Sequence, residues 1–265
     1  MIKKTIIVAV LVCVCVTTVN ALESVTFRGK STNESGAPLT LTGLLTKPQG
    51  DGPFPAVVLL HACAGLYSEW SKKHCARWAE RFAQWGYITL LVDSHGPRGE
   101  SNICDSPLSI APYTRAQDAH DAKSYLAGLS FVDPNRIAVM GWATGGTTAL
   151  FSISERTPIQ ERGDPFRAAV TLYPWCNIML DDLDAPLLIL IGEKDDWCLP
   201  VLCSELLPEG KTAQEIIFKV YPGVHHCFDI EGMDQTFSDH RMLYHPEATA
   251  DAHDRIRDFL AKHMK

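Results

Sequence analysis

The chain has 265 residues, of which 46% are hydrophobic and 21% charged, and its formal net charge is −7. This balance excludes an intrinsically disordered chain, and a negative charge without any basic run argues against nucleic acid as a partner. The sequence contains no low-complexity segment and no repeat with a period of about 20–50 residues.

The first predicted element is a secretory signal peptide over residues 1–21. Two lysines precede an apolar run from Ile6 to Val16, and Val19–Ala21 has the small-residue pattern of a cleavage site. The run is too short to span a bilayer comfortably, so we expect cleavage after Ala21, with an uncleaved anchor as the alternative. The mature protein is then predicted to be secreted or periplasmic and to have no membrane partner.

The mature chain begins with a predicted half-buried strand, in which Leu39, Leu41 and Leu45 alternate with threonines. After Pro55, short continuous apolar strands alternate with helices. The predicted strands are Ala56–Leu60, Tyr87–Asp93, Arg136–Gly141, Ala168–Tyr173, Leu187–Gly192 and Ile216–Tyr221. The predicted helices are an amphipathic one with Cys75 to Ala83 on its apolar face and an end at Gly86, then Arg115–Leu126, Gly145–Glu155, Val201–Leu207 and Ala248–Lys262.

This alternation predicts the fold class. Strand–helix pairs in series are typical of an α/β domain with a mostly parallel sheet and helices on both faces. No linker-like stretch interrupts the series, so residues 22–265 are predicted to form a single domain. Ligands of such sheets bind beyond the carboxyl ends of the strands. Two connections there, Ser94–Pro112 and Gly223–Glu247, are long enough to cover a substrate or to contain structure that the pattern does not show.

Seven cysteines remain after the predicted cleavage: Cys63, Cys75, Cys104, Cys176, Cys198, Cys203 and Cys227. In an exported protein we expect such thiols to pair, and the odd number leaves at least one free. The spacing does not choose among the possible pairings. No CxxC motif occurs, so neither a zinc ribbon nor a thioredoxin-type site is predicted.

The segment from Arg136 to Gly146 carries the most information about chemistry. An apolar strand, a small-x-nucleophile-x-small pentapeptide (Gly141–Gly145) and a helix make up the nucleophile elbow of α/β-hydrolases. The position of the nucleophile, which should hold serine or cysteine, holds Ala143. The helix behind it helps to stabilise negative charge at the site.

The expected partners of a nucleophile follow in the expected chain order. Asp195 comes just after a buried strand, and His226 comes just after the next one, so the carboxylate is predicted to orient the imidazole. The backbone N–H groups of Cys63 and Thr144 are the predicted oxyanion hole.

Together these segments resemble the dienelactone hydrolase family, especially its exported bacterial branch. The matching segments are Pro55–Leu66, Gly86–Gly99, Asp133–Gly146, Leu188–Asp196 and Tyr221–Asp229. The resemblance implies the α/β-hydrolase fold and cofactor-free hydrolysis of an ester or lactone through an acyl-enzyme, with Asp195 as the acid and His226 as the base. Ala143 departs from that pattern, which predicts impaired activity. Ala62 departs too, since dienelactone hydrolases proper carry a glutamate there.

Three other residues are weaker candidates for a nucleophile. Thr144 would need a small residue two positions earlier, where Trp142 stands. Cys63 and Cys227 lie near the predicted site, although packed or disulfide-bonded cysteines are the more common case in exported proteins. The competing hypothesis is a pseudoenzyme that binds a small hydrophobic ligand or a protein partner in the same crevice.

Four tryptophans are predicted at the same end of the sheet and would form an aromatic pocket there, or simply pack the loops: Trp70, Trp142, Trp175 and Trp197. Arg98 is a candidate for binding a substrate carboxylate, with loop bracing as the alternative. The histidines lack the i, i+4 spacing of a zinc helix and no GxGxxG motif occurs, so neither a metal nor a cofactor is predicted.

Overall fold

The computed structural model describes residues 22–32, 36–177, 182–208 and 213–265, so the predicted signal peptide lies outside the described residues. They form a sheet of eight strands with the order β1-β2-β4-β3-β5-β6-β7-β8. These strands are β1 (Glu23–Thr32), β2 (Pro38–Thr46), β3 (Phe54–Leu60), β4 (Ile88–Asp93), β5 (Val132–Trp142), β6 (Ala169–Leu172), β7 (Leu187–Gly192) and β8 (Ile216–Tyr221). The helices are α1 (Glu69–Gln84), α2 (Pro112–Ala127), α3 (Thr144–Ile153), α4 (Pro200–Glu205) and α5 (Pro246–His263).

The sheet is mostly parallel, as predicted from the sequence. Strands β3 to β8 pair with one another in parallel, and β2 pairs with β4 in antiparallel orientation. Strand β1, which pairs antiparallel with β2, was not predicted. It is an edge strand that buries only alternate residues such as Val25 and Phe27 and otherwise carries polar side chains, so its apolar signal is weak.

The connections place helices on both faces of the sheet. The chain moves from β3 to β4 through α1 and then turns back past β3 to β5 through α2. Because parallel crossovers are right-handed, this reversal puts α1 and α2 on opposite faces. Helix α3 packs beside α2, and α5 packs beside α1, where the rings of Trp78 and His253 lie 4.9 Å apart. The reversal also opens a crevice at the carboxyl ends of β3 and β5.

The two long connections differ in content. Ser94–Pro112 contains a short 3-10 helix at Gly96–Arg98. The connection after β8 contains an unpredicted hairpin of β9 (Asp234–Phe237) and β10 (His240–Leu243). Its four-residue strands are too short to show a period-2 pattern. The Leu243 N–H of this hairpin donates to the His226 carbonyl oxygen at 3.1 Å. It therefore holds the loop that carries the predicted base.

Two disulfides tie loops at the carboxyl end of the sheet. Cys63 is bonded to Cys104, and Cys176 is bonded to Cys203. The other three cysteines of the described residues are buried thiols, namely Cys75, Cys198 and Cys227. The expectation of general pairing therefore holds for only four of the seven, because the remaining thiols are enclosed by packing. No helix of the described residues is long and apolar enough to cross a membrane.

Candidate active site

The turn between β5 and α3 has the strained geometry of a nucleophile elbow. Ala143 has φ 49° and ψ −118°, a conformation that is unfavourable for a residue with a Cβ atom. A Cβ atom at Gly141 would meet the Gly145 carbonyl oxygen, and one at Gly145 would meet the Leu60 carbonyl oxygen. The glycines therefore allow the close backbone approach that turns Ala143 toward the cavity described below.

Asp195 and His226 form a buried hydrogen-bonded pair. The Nδ1 atom of His226 lies 2.7 Å from Oδ2 of Asp195, and the two residues are 2% and 1% exposed. The other carboxylate oxygen accepts hydrogen bonds from the N–H groups of Trp197 (3.1 Å) and Cys198 (2.8 Å). These bonds fix the carboxylate, and the carboxylate fixes the imidazole, as the hydrolase pattern requires.

The electrostatics of His226 favour its protonated form. Burial alone disfavours the charged ring, but the adjacent Cys227 sulfur and the Asp195 carboxylate outweigh burial and raise the pKa of His226 from 6.5 to about 10. The ring also contacts Tyr173 and Trp197, with centroids 4.6 and 5.3 Å away. At neutral pH the neutral form that could accept a proton is therefore the minor one.

The two predicted oxyanion donors border the same cavity. Thr144 is the first residue of α3, so its N–H has no acceptor within the helix. Among the hydrogen bonds of the described residues, none involves the N–H of Cys63 as donor. Both residues line the cavity beside Ala143. N–H groups without a partner at this border could bind the oxygen of a polarised carbonyl, so the oxyanion hole stays a prediction.

A buried arginine, which the sequence analysis missed, connects the two segments of the predicted oxyanion hole. Arg115 of α2 is 1% exposed and donates to the His61 carbonyl oxygen (2.6 Å) and to Oγ1 of Thr144 (3.0 Å). His61 lies two residues before Cys63. Arg115 therefore braces the loop after β3 and the start of α3 at the same time. Its position inside a predicted helix gave no sign of this contact.

The cavity at this site has a volume of about 190 Å³ and is mainly apolar. It is lined by Cys63, Cys104, Pro107, Ala143, Thr144, Trp175, Trp197, Cys198 and His226. A second cavity of about 130 Å³ shares Cys63, Ala143, Trp197 and His226 and extends to Trp70. The structure thus brings together the predicted elbow, base, oxyanion donors and three of the four predicted tryptophans.

Two predicted substrate-binding residues lie elsewhere. Trp142 is 1% exposed, and its indole N–H donates to Oδ2 of Asp229 at 3.2 Å, so its ring belongs to the core. The side chain of Arg98 forms two hydrogen bonds of 2.8 Å with Asp118, so it braces a loop. The structure therefore agrees with the packing alternative for Trp142 and with the loop-bracing alternative for Arg98, because buried carboxylates hold both side chains.

Asp229 is a second contact point that the sequence analysis missed. Its carboxylate accepts hydrogen bonds from Trp78 (2.9 Å), Trp142 (3.2 Å) and the Tyr173 hydroxyl (2.6 Å). These donors belong to α1, to the end of β5 and to the residue after β6. Asp229 lies three residues after His226, so this network joins the histidine loop to the elbow.

The structure also shows the surroundings of the weaker nucleophile candidates. Cys63 is consumed in a disulfide, and the Thr144 hydroxyl accepts the hydrogen bond from Arg115. The thiol of Cys227 is buried directly beside His226, on a residue with φ 57°. The thiol of Cys198, which the sequence analysis did not single out, lines the main cavity.

We expect His95 to make the folding stability of the protein sensitive to acid. His95 is fully buried, and burial together with Arg115 and Arg98 lowers its pKa from 6.5 to about 3. In the unfolded chain His95 is protonated below about pH 6.5, whereas in the folded protein it stays neutral down to about pH 3. The free energy of unfolding therefore falls as the pH falls between these values. His95→Gln should reduce the loss of unfolding free energy between about pH 7.5 and 5 by about 2 kcal/mol. Urea unfolding at both pH values measures this difference in unfolding free energy. An equal loss in His95→Gln and in the unaltered protein would contradict the role given to His95.

The sequence model of the dienelactone hydrolase family matches residues 41–264. The chain belongs to the dienelactone hydrolase family. A relative from Bradyrhizobium sp., named as a probable 2-oxo-3-(5-oxofuran-2-ylidene)propanoate lactonase, is 26% identical over 204 residues, which are 69% of this chain and 77% of the relative.

Solved structures show the same fold. The dienelactone hydrolase from Anabaena variabilis is 18% identical with a TM-score of 0.62, over 92% of this chain and 99% of that one. A dienelactone hydrolase-like promiscuous phosphotriesterase from metagenomic libraries is 20% identical with a TM-score of 0.66, over 93% of this chain and 100% of that one. These similarities support the α/β-hydrolase fold, and they leave the roles of individual site residues as predictions.

Proposed function

We propose that this member of the dienelactone hydrolase family binds a small ester or lactone beside Ala143 and hydrolyses it slowly. The reason for the low rate is the methyl group of Ala143, which cannot form an acyl-enzyme. The strained elbow carries the proposal. A non-glycine residue in such a conformation costs about 1–3 kcal/mol, and here that conformation points Ala143 at a cavity bordered by His226 and two free amides.

The geometry supports a direct attack by water. The ester carbonyl oxygen would accept hydrogen bonds from the N–H groups of Cys63 and Thr144, which polarise the carbonyl. A water molecule would occupy the space of the missing nucleophilic side chain, between the carbonyl carbon and His226. His226 in its neutral form takes the proton of the water as the water oxygen bonds to the carbonyl carbon. The C–O bond to the leaving group then breaks as the imidazolium of His226 returns that proton to the leaving oxygen.

Asp195 has the supporting role in this mechanism. Its short hydrogen bond occupies Nδ1, which leaves the opposite ring nitrogen of His226 to take the proton of the water. His226 itself lines the cavity. The carboxylate also stabilises the imidazolium that forms when the proton moves. The mainly apolar lining of the cavity favours a small substrate with little charge.

Binding without turnover is the second candidate function. The apolar cavity with Trp175 and Trp197 suits a small hydrophobic ligand, and Ala143 removes the covalent step. The same pocket would then bind the ligand without hydrolysing it. The two candidates differ in whether His226 is needed for any rate above the uncatalysed reaction.

His226 should control the residual activity of the unaltered protein. We expect slow turnover of a small p-nitrophenyl ester that His226→Gln lowers to the background rate, since only the neutral imidazole can activate water. Because the pKa of His226 is raised, activity should be lost as the pH falls and should rise up to about pH 10. Cys227→Ala removes one of the groups that raise the pKa and should shift the profile toward lower pH.

These rates decide between the two candidates. Turnover that is equal with and without His226, combined with saturable binding of the intact ester, would replace hydrolysis with ligand binding. A profile that levels off below pH 7 would contradict the role given to Cys227 and Asp195 in holding the proton on His226.

We also propose that the protein is exported and works outside the cytoplasm. The predicted signal peptide leads to this expectation, and two disulfides in loops around the cavity agree with an oxidising compartment. Peptide mapping of the non-reduced protein should give linked peptides for the pairs Cys63–Cys104 and Cys176–Cys203. Cys75, Cys198 and Cys227 should be alkylated after unfolding, and alkylation of all seven would contradict the assignment.

A further inference from the structure

Three buried groups with metal-binding chemistry meet at the edge of the main cavity. They are the carboxylate of Asp195, the thiol of Cys198 and the imidazole of His226, and one ligand atom from each lies within 4.8 Å of the other two. Each residue is at most 5% exposed. Cys198 and His226 both line the cavity, so an ion could reach them from there.

Hydrogen bonds bring the members of this cluster together. Asp195 and Cys198 are three residues apart on one turn, where the Cys198 N–H donates to the Asp195 carboxylate at 2.8 Å. His226 is attached to the same carboxylate from the neighbouring loop at 2.7 Å. A cluster that is already assembled needs little ordering when it binds a ligand.

Thiolate, imidazole and carboxylate are the three ligand types that zinc takes from proteins. Around a tetrahedral zinc ion such donors are separated by about 3.3–3.8 Å, so the widest separation here would close by about 1 Å. The hydrogen-bonded contact between Asp195 and His226 would open by a similar or smaller amount. Both movements are small for side chains at the border of a cavity.

The position of Ala143 leaves room for a further ligand. Its methyl group lines the same cavity as Cys198 and His226 and offers no oxygen or sulfur atom to either of them. Three protein ligands with an open fourth position are the arrangement of catalytic zinc sites, whereas structural sites use four. The open position would be filled by water or by a small anion.

We propose that Asp195, Cys198 and His226 form a binding site for a soft divalent cation of the zinc type, open toward the main cavity. On binding, the Cys198 thiol and the protonated ring of His226 each release a proton to solvent. The Cys198 sulfur, a ring nitrogen of His226 and a carboxylate oxygen of Asp195 then form bonds to the metal. This site goes beyond the proposed hydrolysis. It would also compete with hydrolysis, because His226 bound to a metal ion no longer serves as a free base.

Cobalt provides a test that does not depend on activity. Titration of the protein with Co²⁺ should produce thiolate-to-cobalt charge-transfer absorption that saturates at one equivalent, and Zn²⁺ should abolish it. Cys198→Ser should remove this absorption, and its zinc dissociation constant should rise by more than the roughly 10–100-fold caused by loss of an outer-shell partner. Cys75→Ser is the matched control, since Cys75 is another buried thiol, located in α1.

Several outcomes would overturn the site. These are the absence of the absorption in the unaltered protein, equal absorption in Cys198→Ser, or its loss in Cys227→Ser but not in Cys198→Ser. Asp195→Asn gives a second variant if Cys198→Ser folds poorly, and it should weaken binding while a weaker thiolate band remains. Inhibition of an Ala143→Ser enzyme by Zn²⁺, relieved by Cys198→Ser, would add support, and the cobalt result stands even if that enzyme proves inactive.

Discussion

Ala143→Ser should raise the rate of hydrolysis of a small activated ester by on the order of 10³-fold or more over the unaltered protein. The serine hydroxyl would stand on the strained turn, within the cavity that His226 and the two free amides border. The attack then becomes intramolecular, and the acyl-enzyme is hydrolysed in a separate step. Ala143→Cys should also restore activity, because thiols are intrinsically strong nucleophiles.

Stopped-flow measurement of product release and mass spectrometry of the intact protein check this result. The serine variant should show a burst of product and a mass increase equal to the acyl group, and both should vanish when His226→Gln is added. Ala143→Gly is the matched control, since it keeps the elbow without a nucleophile. Rates for the serine and cysteine variants that equal the glycine variant, in folded protein, would show that the remaining hydrolase machinery is not assembled.

The second large effect concerns Arg115. In the Ala143→Ser background, Arg115→Met should lower kcat by about 10–100-fold with a smaller change in KM. Its guanidinium holds the His61 carbonyl and the Thr144 side chain at 2.6 and 3.0 Å, and small displacements of a catalytic group have effects of this size. Arg115→Lys should recover part of the rate, because one ammonium group reaches one of the two acceptors.

A structural role alone would have a different signature. Arg162→Met is the matched control, because Arg162 also braces carbonyl oxygens, those of Ser152, Ser154 and Thr157, in another part of the fold. It should reduce stability and leave kcat of the folded protein unchanged. If Arg115→Met behaves in the same way, Arg115 supports the fold and does not position the oxyanion donors.

The local patterns predicted most of the fold. Strands β7 and β8 occur at the predicted residues, and the other predicted elements differ by a few residues at their ends. Their apolar runs are long because helices cover both faces of the sheet. The edge strand β1 and the hairpin of β9 and β10 escaped prediction, since polar residues dominate their short or half-exposed segments.

Part of the candidate site could be predicted from the sequence in the same way, and part could not. The spacing of Gly141, Ala143 and Gly145 indicates an elbow because glycine is needed where backbone segments touch. Chain order placed Asp195 and His226 at adjacent strand ends, where a parallel sheet brings them together. The sequence left two alternatives open for Trp142 and for Arg98, because the partners that hold them lie 87 and 20 residues away in the chain.

By itself the sequence determined that this chain is a mostly parallel α/β protein with an alanine at the elbow. Both properties depend on short-range periodicity and on motifs of a few residues. The tertiary structure decided which cysteines pair, that Arg115 joins the loop after β3 to the start of α3, and that Cys198 lies beside Asp195 and His226. These contacts depend on where strands and loops far apart in the chain meet, and that is set by packing of the whole sheet.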